Sequence, residues 1–307
     1  MTLLEQLDIR HPIFLAPMAG VSTPKLAAEV SNQGGLGSLG LGASSVEAAR
    51  QQILETQALT HQPFQVNFFC HQSLELDHEV AKQWIQYLTP QFEKYHAVPP
   101  TELKCIYPSF LDHDDYLNLV LETRPKAVSF HFGIPHPHQI HALKQAGIIT
   151  MVSATNLAEA LEIEAAGIDV IIAQGIEAGG HRGIFNETFD SAVKTSDLVQ
   201  LLKQYCTLPI VAAGGIMNGQ QAQLLFKLGA AAVQLGTAFV QCKSSNTNIA
   251  YRKALFSKPI TQISASISGR PARGLINYWH TQVDRPERPP VATYPYCYDL
   301  GKQLNAA

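Results

Sequence analysis

The stretch "LPIVAAGGI" (residues 208–216) is a short apolar run that ends in a pair of glycines. An apolar run without polar alternation is typical of a strand buried on both faces of a parallel sheet. A helical pattern, "NGQQAQLLFKLG" (residues 218–229), follows it, and a second apolar run, "AAAVQLGTAFV" (residues 230–240), comes next. The order strand, helix, strand predicts one repeat of an α/β fold.

The same alternation runs back toward the N-terminus. Thr23 and Pro24 predict the start of one helix, as N-cap and first helical residue, and Gly34 or Gly35 predicts its end. The predicted strands, in order, are residues 12–18, 36–40, 64–69, 126–133, 147–155, 169–175, 208–216 and 230–240. About eight such repeats predict an α/β fold, a closed TIM (β/α)8 barrel, with a doubly wound open sheet as the competing architecture.

The glycines favour the barrel over the open sheet. Gly214 and Gly215 end the seventh predicted strand, and Gly236 follows the core of the eighth. Barrels often bind phosphate in the loops after these two strands, beside the N-terminus of a short extra helix. Glycine lets backbone N–H groups approach a phosphate, and the Thr237 hydroxyl adds a donor. The alternative is that these glycines only form tight turns.

Two segments depart from the regular alternation. Residues 71–124 are too long for one connection and contain the amphipathic stretch "VAKQWIQYLTPQFEKY" (residues 80–95). From residue 244 the barrel pattern stops, and the tail carries aromatics and the proline-rich run "DRPERPPVATYPYCYDL" (residues 284–300). We therefore predict a barrel over residues 1–243 with a helical insertion around 71–124, and a smaller cap over the barrel mouth at 244–307.

Composition excludes several classes of protein. The 307 residues carry a formal net charge of −3, which argues against a nucleic-acid-binding surface. The N-terminus lacks the pattern of a signal peptide, and no apolar run approaches the ~18 residues of a membrane span. The five cysteines are far apart and without CxxC, which is typical of a reducing cytoplasm and argues against disulfides or a zinc site. We expect a cytoplasmic protein, and the sequence leaves open whether it forms a homodimer.

Two side-chain amides are candidates for hydrogen bonding to the edge of a planar ligand. Asn67 lies near the end of the strand at residues 64–69, and Gln174 lies at the exit of another strand. An amide presents both a donor and an acceptor, which suits the pyrimidine edge of a flavin. The alternative for each is a buried amide bonded to the backbone.

His181 is the candidate reacting group. It lies in "QGIEAGGHRG" (residues 174–183), directly after Gly179 and Gly180 and beyond a strand exit. Histidine is the side chain most easily tuned to exchange a proton near neutral pH. The alternative is a loop histidine bonded to backbone. The other notable histidines are His131, at a strand exit, and His136, His138 and His141, for which no cysteine or carboxylate completes a metal-ligand set.

The tail offers hydroxyls and a cation. Tyr294, Tyr298 and Lys302 are spaced four apart, which aligns them on one face if the segment is helical. They predict either a packed cap with a solvated lysine or a lid that binds an anionic substrate.

Four motifs together resemble the FMN-dependent nitronate monooxygenases, formerly called 2-nitropropane dioxygenases. They are "APMAGVSTP" (16–24), "VSFHFG" (128–133), "QGIEAGGHRG" (174–183) and "AAGGI…GAAAVQLGTAF" (212–239). The resemblance spans the chain from Pro12 through the tail. The "EAGGHRG" and "SFHFG" motifs are similar to those of the class I branch in particular.

The resemblance implies a TIM barrel with non-covalently bound FMN, with the residues divided among three roles. His181 would be the catalytic residue beside the reacting carbon and nitro group. The cofactor would be bound by Pro17, Met18, Ala19, Asn67, Gln174, Gly179, Gly180, Gly214, Gly215, Gln234, Leu235, Gly236 and Thr237. The substrate pocket and lid would be formed by Tyr107, His131, Tyr251, Tyr294, Tyr298 and Lys302.

The implied reaction is oxidation of an alkyl nitronate, propionate 3-nitronate foremost, with O2. One electron passes to FMN to give a semiquinone, and the products are a carbonyl compound with nitrite or nitrate. His181 either stabilises the nitronate or removes a carbon proton from a neutral nitroalkane. Three alternatives stay open: an NAD(P)H:quinone reductase or an enoyl-ACP reductase on the same barrel, and a flavin-free barrel that binds a phosphate-bearing ligand.

Overall fold

The computed structural model describes residues 1–257 and 260–307. Within them the strands are β1 Ile13–Leu15, β2 Gly37–Gly40, β3 Phe64–Phe69, β4 Ala127–His131, β5 Ile149–Ala154, β6 Val170–Gln174, β7 Gly180–His181, β8 Ile210–Ala213, β9 Ala232–Leu235, β10 Thr261–Ser264 and β11 Ala272–Leu275. The helices are α1 Leu3–Leu7, α2 Pro24–Asn32, α3 Val46–Leu59, α4 His78–Lys94, α5 Asp115–Thr123, α6 Pro137–Gln145, α7 Leu157–Ala165, α8 Thr195–Tyr205, α9 Gly219–Lys227, α10 Thr237–Val240, α11 Ile249–Phe256 and α12 Tyr296–Ala306, with a π-helix at Trp279–Val283.

The chain forms two compact units, each made from several stretches of sequence. The first unit, which we call the barrel unit, comprises Met1–Gln72, Ser109–Gly179 and Gly183–Lys253. The second, which we call the tail unit, comprises Ser73–Pro108, Gly180–Arg182 and Ala254–Ala307. Among the helices the structure describes, none is long and apolar enough to cross a membrane.

The barrel unit contains eight parallel strands among its described residues, in the order β1-β9-β8-β6-β5-β4-β3-β2. A parallel bridge between Phe14 and Leu36 joins β1 to the residue before β2. Leu15 N–H donates to the Leu36 carbonyl at 2.9 Å, and Leu36 N–H donates to the Ile13 carbonyl at 3.0 Å. The ring of strands is therefore closed, so the fold is a (β/α)8 barrel and not an open doubly wound sheet.

Strand side chains divide the barrel unit into two apolar layers, because successive residues of a strand point to opposite faces. Val66, Val128 and Ile171 belong to the cluster between strands and helices. Ala127, Met151, Val170 and other residues of the inner cluster pack with Leu3 and Leu7 of α1. Both faces of each strand are buried, which explains why the strands are apolar runs in the sequence.

The prediction is wrong about where the last barrel strand ends. Residues 230–240 were predicted as one strand, but β9 ends at Leu235 and Thr237–Val240 forms α10. Gly236, the N-cap residue, has φ −106° and ψ −74° and turns the chain from strand into helix. The apolar letters of 237–240 suit either element, so their composition does not mark the change.

The tail unit has its own sheet and its own core. Its sheet has the order β10-β11-β7, and β11 is antiparallel to both neighbours. Trp84 and Leu88 of α4 pack with Cys297 and Leu300 of α12 in a separate apolar cluster. Tyr87 also donates a hydrogen bond to the Val283 carbonyl at 2.8 Å. Residues 180–182 join this unit through β7, which places His181 in its sheet.

Candidate active site

The barrel unit carries a polar layer near the carboxyl ends of its strands. The Asn67 amide donates to the Ser129 carbonyl at 3.1 Å and to the Ser129 hydroxyl at 3.0 Å. The Gln174 amide oxygen accepts a hydrogen bond from Gly183 N–H at 2.8 Å. Both amides are buried. Both amides are therefore bonded to the backbone, as expected for a purely structural role. An amide has two donors and two acceptor sites, so each also retains capacity to bind a ligand.

Three further polar side chains, those of Gln65, Gln234 and Ser38, lie in the barrel interior below this layer. Gln65 donates to the Gln234 amide oxygen at 3.5 Å, and Gln65 is paired in register with Ser38. The Gln65 amide oxygen and the Ser38 hydroxyl are fully buried and have no hydrogen-bond partner among the described residues. A buried polar atom without a partner is costly, so these orphaned atoms favour a polar ligand or ordered water within the barrel unit.

His131 is part of the same unit. It ends β4, and its Nδ1 lies 3.0 Å from the Ser153 hydroxyl. A Cβ at Gly183 would lie 2.8 Å from His131 Cε1, so glycine is needed for the chain to pass the ring this closely. His136 and His138 lie elsewhere: His136 Nε2 lies 3.3 Å from the Leu111 carbonyl, and His138 Nε2 lies 3.2 Å from Asp114 Oδ1.

The glycines that follow β8 and β9 lie close to neighbouring parts of the chain. Gly214 has φ +118°, and a Cβ there would lie 2.9 Å from Ala178 N. Gly215 has φ +70°, and its Cβ would lie 2.9 Å from Glu177 Cβ. Gly236 precedes the short helix α10. Thr237 and Gly179 are exposed. A Cβ atom added at Gly179 would lie 3.6 Å from the Thr237 hydroxyl oxygen. These glycines follow β8 and β9, the seventh and eighth strands of the barrel, after which barrels often bind phosphate.

The start of the barrel contributes backbone. Pro17, Met18 and Ala19 follow β1, and Met18 N–H donates to the Ser22 hydroxyl at 3.2 Å. A Cβ at Gly40 would lie 2.8 Å from Ala19 N. Glycine at that position therefore lets this segment pass directly against the end of β2.

The tail unit gathers the predicted substrate residues other than His131 and Tyr251. The His181 ring lies 6.0 Å from the rings of Tyr294 and Tyr298, at steep angles of 73° and 69°. Tyr298 packs edge-on against Tyr107, with ring centroids 5.7 Å apart. Lys302 Nζ donates to the Tyr107 hydroxyl at 2.5 Å. We call these five residues the tail-unit cluster.

Tyr294 is placed differently from the prediction. Tyr298 and Lys302 lie one turn apart on α12, but that helix begins at Tyr296 and Pro295 is its N-cap. The residue before a proline is disfavoured in the helical region, so Tyr294 precedes the helix. Its side chain still reaches His181. Tyr251 lies on the part of α11 that belongs to the barrel unit and is 42% exposed.

His181 is held by contacts that sequence analysis missed. Its Nε2 lies 2.8 Å from the hydroxyl oxygen of Ser268, which is 1% exposed. The pairing of β7 with β11 sets His181 opposite Ala272. The turn that carries Ser268 requires glycine at position 269. The φ angle there is +92°, and a Cβ atom on this residue would lie 2.5 Å from Tyr294 N. The short sequence "SGR" (residues 268–270) indicates a turn but not its distant partner.

Positive charge and burial set the protonation of the tail-unit cluster. Burial, and then the positive charge of Arg270, lower the pKa of His181 to about 4. Burial raises the pKa of Tyr298, with Tyr107 adding to the rise and Lys302 opposing it. Burial also raises the pKa of Tyr294 far above its usual range. At neutral pH the cluster therefore presents the neutral imidazole of His181, the protonated phenols of Tyr294 and Tyr298 and the ammonium of Lys302. Together with the charge of Arg270, these groups suit an anion.

Comparison with known proteins places this arrangement in context. The nitronate monooxygenase family model matches residues 1–307. A nitronate monooxygenase from Paraburkholderia phytofirmans is 52% identical over 99% of this chain and 84% of the relative, and one from Pseudomonas aeruginosa is 49% identical over 98% and 87%. The crystal structure of a nitroalkane oxidase from Streptomyces ansochromogenes superposes with a TM-score of 0.88 at 36% identity, covering 99% of this chain and 86% of that one.

Proposed function

The chain belongs to the nitronate monooxygenase family, and we propose that it uses FMN and O2 to oxidise alkyl nitronates, with propionate 3-nitronate as the first candidate. It is an oxidoreductase that acts on small molecules, and the family supports nitronates as the substrate class. The products would be a carbonyl compound, malonate semialdehyde from that substrate, with nitrite or nitrate. The tail-unit cluster carries the proposal, because it combines a neutral histidine with the Lys302 ammonium and phenol donors.

The barrel unit supports FMN as the cofactor. Gly214 and Gly215, with positive φ angles, and Gly236, which has no Cβ, would let backbone N–H groups reach the phosphate, and the Thr237 hydroxyl would add a donor. Asn67, Gln174 and Gln234 would bind the edge of the flavin ring. The bound flavin would accept electrons from the nitronate and pass them to O2.

The tail-unit cluster would bind the anionic substrate. The Lys302 ammonium and the Tyr107 hydroxyl lie 2.5 Å apart and together suit a carboxylate. Among the described residues, no carboxylate forms an ion pair with Lys302, and the lysine side chain is exposed. His181 would act at the nitro end. Two anionic ends on one small molecule are the feature that singles out propionate 3-nitronate.

Anaerobic mixing tests the proposal directly. The purified protein is expected to show a flavin absorption band, and addition of propionate 3-nitronate is expected to produce the spectrum of a one-electron-reduced flavin. NADPH is expected to cause no bleaching in a parallel experiment. Fast bleaching by NADPH with no response to the nitronate would assign the barrel to a reductase. A colourless protein that binds no added FMN would remove the flavin from the proposal.

Replacement of Lys302 with methionine tests the carboxylate site. The change removes the ammonium while keeping much of the apolar stem. Because the lysine is exposed, we expect KM for propionate 3-nitronate to rise about tenfold, below the range for a fully buried charged contact. KM for ethyl nitronate, which has no carboxylate, should stay within about twofold by the same reasoning. Equal changes for both substrates in steady-state assays would place the carboxylate elsewhere.

A further inference from the structure

His181 can act toward a ligand in two opposite ways, and the position of its proton decides between them. A neutral imidazole carries one N–H and one lone pair, and the hydrogen bond at one nitrogen fixes the role of the other. If Nδ1 carried the proton, His181 would donate a hydrogen bond from it. If Nε2 carries the proton, Nδ1 is the basic atom. The partner of Nε2 is Ser268.

The Ser268 hydroxyl has one proton and three close neighbours. Its oxygen lies 3.0 Å from the Arg270 carbonyl oxygen, 3.3 Å from Arg270 N and 2.8 Å from His181 Nε2. A carbonyl oxygen only accepts, and a backbone N–H only donates. When the hydroxyl donates to the carbonyl, it accepts from both nitrogens and all three contacts are satisfied. Donation to Nε2 instead would leave two oxygens 3.0 Å apart with no hydrogen between them.

The backbone holds the serine in this position. Arg270 N–H and its carbonyl both face the Ser268 hydroxyl, and Ser268 is 1% exposed, so water does not compete readily for its proton. Gly269 N–H donates to the Ala265 carbonyl at 2.8 Å, which fixes the turn. On the other side, Arg182 N–H donates to the Pro271 carbonyl at 2.8 Å and ties the strand of His181 to the same segment.

We propose that Ser268 is a positioning residue that holds neutral His181 with its proton on Nε2, so that Nδ1 is the atom that accepts a proton from the carbon of a neutral nitroalkane. This inference rests on the proposed function. The carbon–hydrogen bond breaks, its electron pair moves into the nitro group to form the nitronate, and the proton forms a bond to Nδ1. No oxidant is needed for this step. The imidazolium that results keeps its Nε2–H bond to Ser268.

The positive charge of Arg270 has two opposing effects on the proton transfer from the nitroalkane to His181. Its charge lowers the pKa of His181 and so disfavours the imidazolium. The same charge favours the nitronate anion that forms at the same time. The two effects oppose each other, because the step converts two neutral groups into an ion pair. A substrate that arrives already as the nitronate needs no proton removal and does not depend on the position of the lone pair.

Nitrogen-15 NMR of the histidine rings tests the tautomer without any turnover. In protein as purified, at neutral pH, the His181 signals are assigned by their loss in the His181→Asn variant. We expect a protonated Nε2 and an unprotonated Nδ1. A proton on Nδ1 overturns the inference, whether or not the enzyme oxidises nitronates. Lack of nitronate oxidation by the wild-type protein overturns the proposed function instead, and the NMR result stands apart from it.

Variants of Ser268 supply the kinetic test. In Ser268→Ala we expect kcat/KM for neutral nitroethane to fall about tenfold, the loss of one hydrogen bond, and the NMR spectrum to show mixed tautomers. Turnover of preformed ethyl nitronate should stay within about twofold on the same reasoning. Ser268→Thr keeps the hydroxyl and should restore the Nε2–H tautomer. Ser264→Ala, which removes another buried hydroxyl of the tail unit, is the matched control and should change neither measurement.

Two results would contradict the kinetic part. An equal loss for nitroethane and for the preformed nitronate would mean that Ser268 supports the structure and not the proton transfer. An unchanged tautomer in Ser268→Ala would mean that another group fixes the ring. If the alanine variant does not fold, the tautomer measured in the wild-type protein still decides the inference.

Discussion

The His181→Asn substitution is expected to lower kcat/KM for a neutral nitroalkane by about 10²- to 10⁴-fold, the contribution typical of a positioned general base. Asparagine retains a hydrogen-bond donor and a similar size but has no group that accepts a proton at neutral pH. Apart from Gly180, the residues that would hold FMN belong to the barrel unit, whereas His181 belongs to the tail unit. The variant should therefore keep its flavin absorption.

The choice of substrate separates the two roles of His181. A preformed nitronate has already lost its carbon proton, so its oxidation should fall much less than that of the neutral nitroalkane. His138→Asn is a suitable control, because His138 is an exposed histidine whose ring contacts Asp114. It should leave both rates unchanged. Wild-type rates in His181→Asn with the neutral nitroalkane would remove His181 from the mechanism.

The pH profile follows from the same group. The pKa of His181 is lowered to about 4, first by burial and then by Arg270. A lowered pKa means that the ring stays neutral, and so basic, from neutral pH down to about pH 4. The acid limb of kcat/KM for the neutral nitroalkane should accordingly lie well below the usual histidine value of about 6.5. A limb near the usual value would mean that burial and the charge of Arg270 do not lower the pKa of His181 in the working enzyme.

The barrel could be predicted because its strands carry a strong pattern. A strand buried on both faces needs an uninterrupted apolar run, and Phe64–Phe69 is both the predicted and the observed span of β3. The start of α2 was equally clear, since the Thr23 hydroxyl accepts a hydrogen bond from Leu26 N–H and Pro24 opens the helix. The helix at Thr237–Val240 was missed because four apolar residues suit either element.

The tail unit was harder to predict for a physical reason. His181 and Ser268 are 87 residues apart, and β7, which brings them together, has only two residues. A strand of that length shows no alternation, so the sequence carries no periodic trace of the pairing. The roles of His181, Tyr298 and Lys302 were expected from the family resemblance, whereas the contact of Ser268 with His181 is visible only in the folded structure.

Two substitutions at Gly236 that differ only in charge, to aspartate and to asparagine, test whether the phosphate of FMN binds at this strand end. The backbone there has φ −106° and is the N-cap of α10. A Cβ would lie 3.5 Å from Ala16 Cβ and from Met18 Sδ, which is ordinary van der Waals contact. The space around Gly236 therefore accepts a Cβ atom, and aspartate and asparagine have the same shape, so any steric effect is shared by the two variants. Both are also favourable N-cap residues, and aspartate gains from the helix dipole, so neither should unfold the apoprotein.

FMN should distinguish the two variants sharply. If its phosphate lies at this helix start, Gly236→Asp sets a carboxylate against a phosphate, and like charges in contact cost several kcal/mol. We expect the Kd for FMN to rise at least about 100-fold relative to Gly236→Asn, or about 2.7 kcal/mol. Titration of the apoproteins by flavin fluorescence measures this, and riboflavin, which lacks the phosphate, should bind both variants alike. Equal Kd values for FMN in the two variants would place the phosphate away from Gly236.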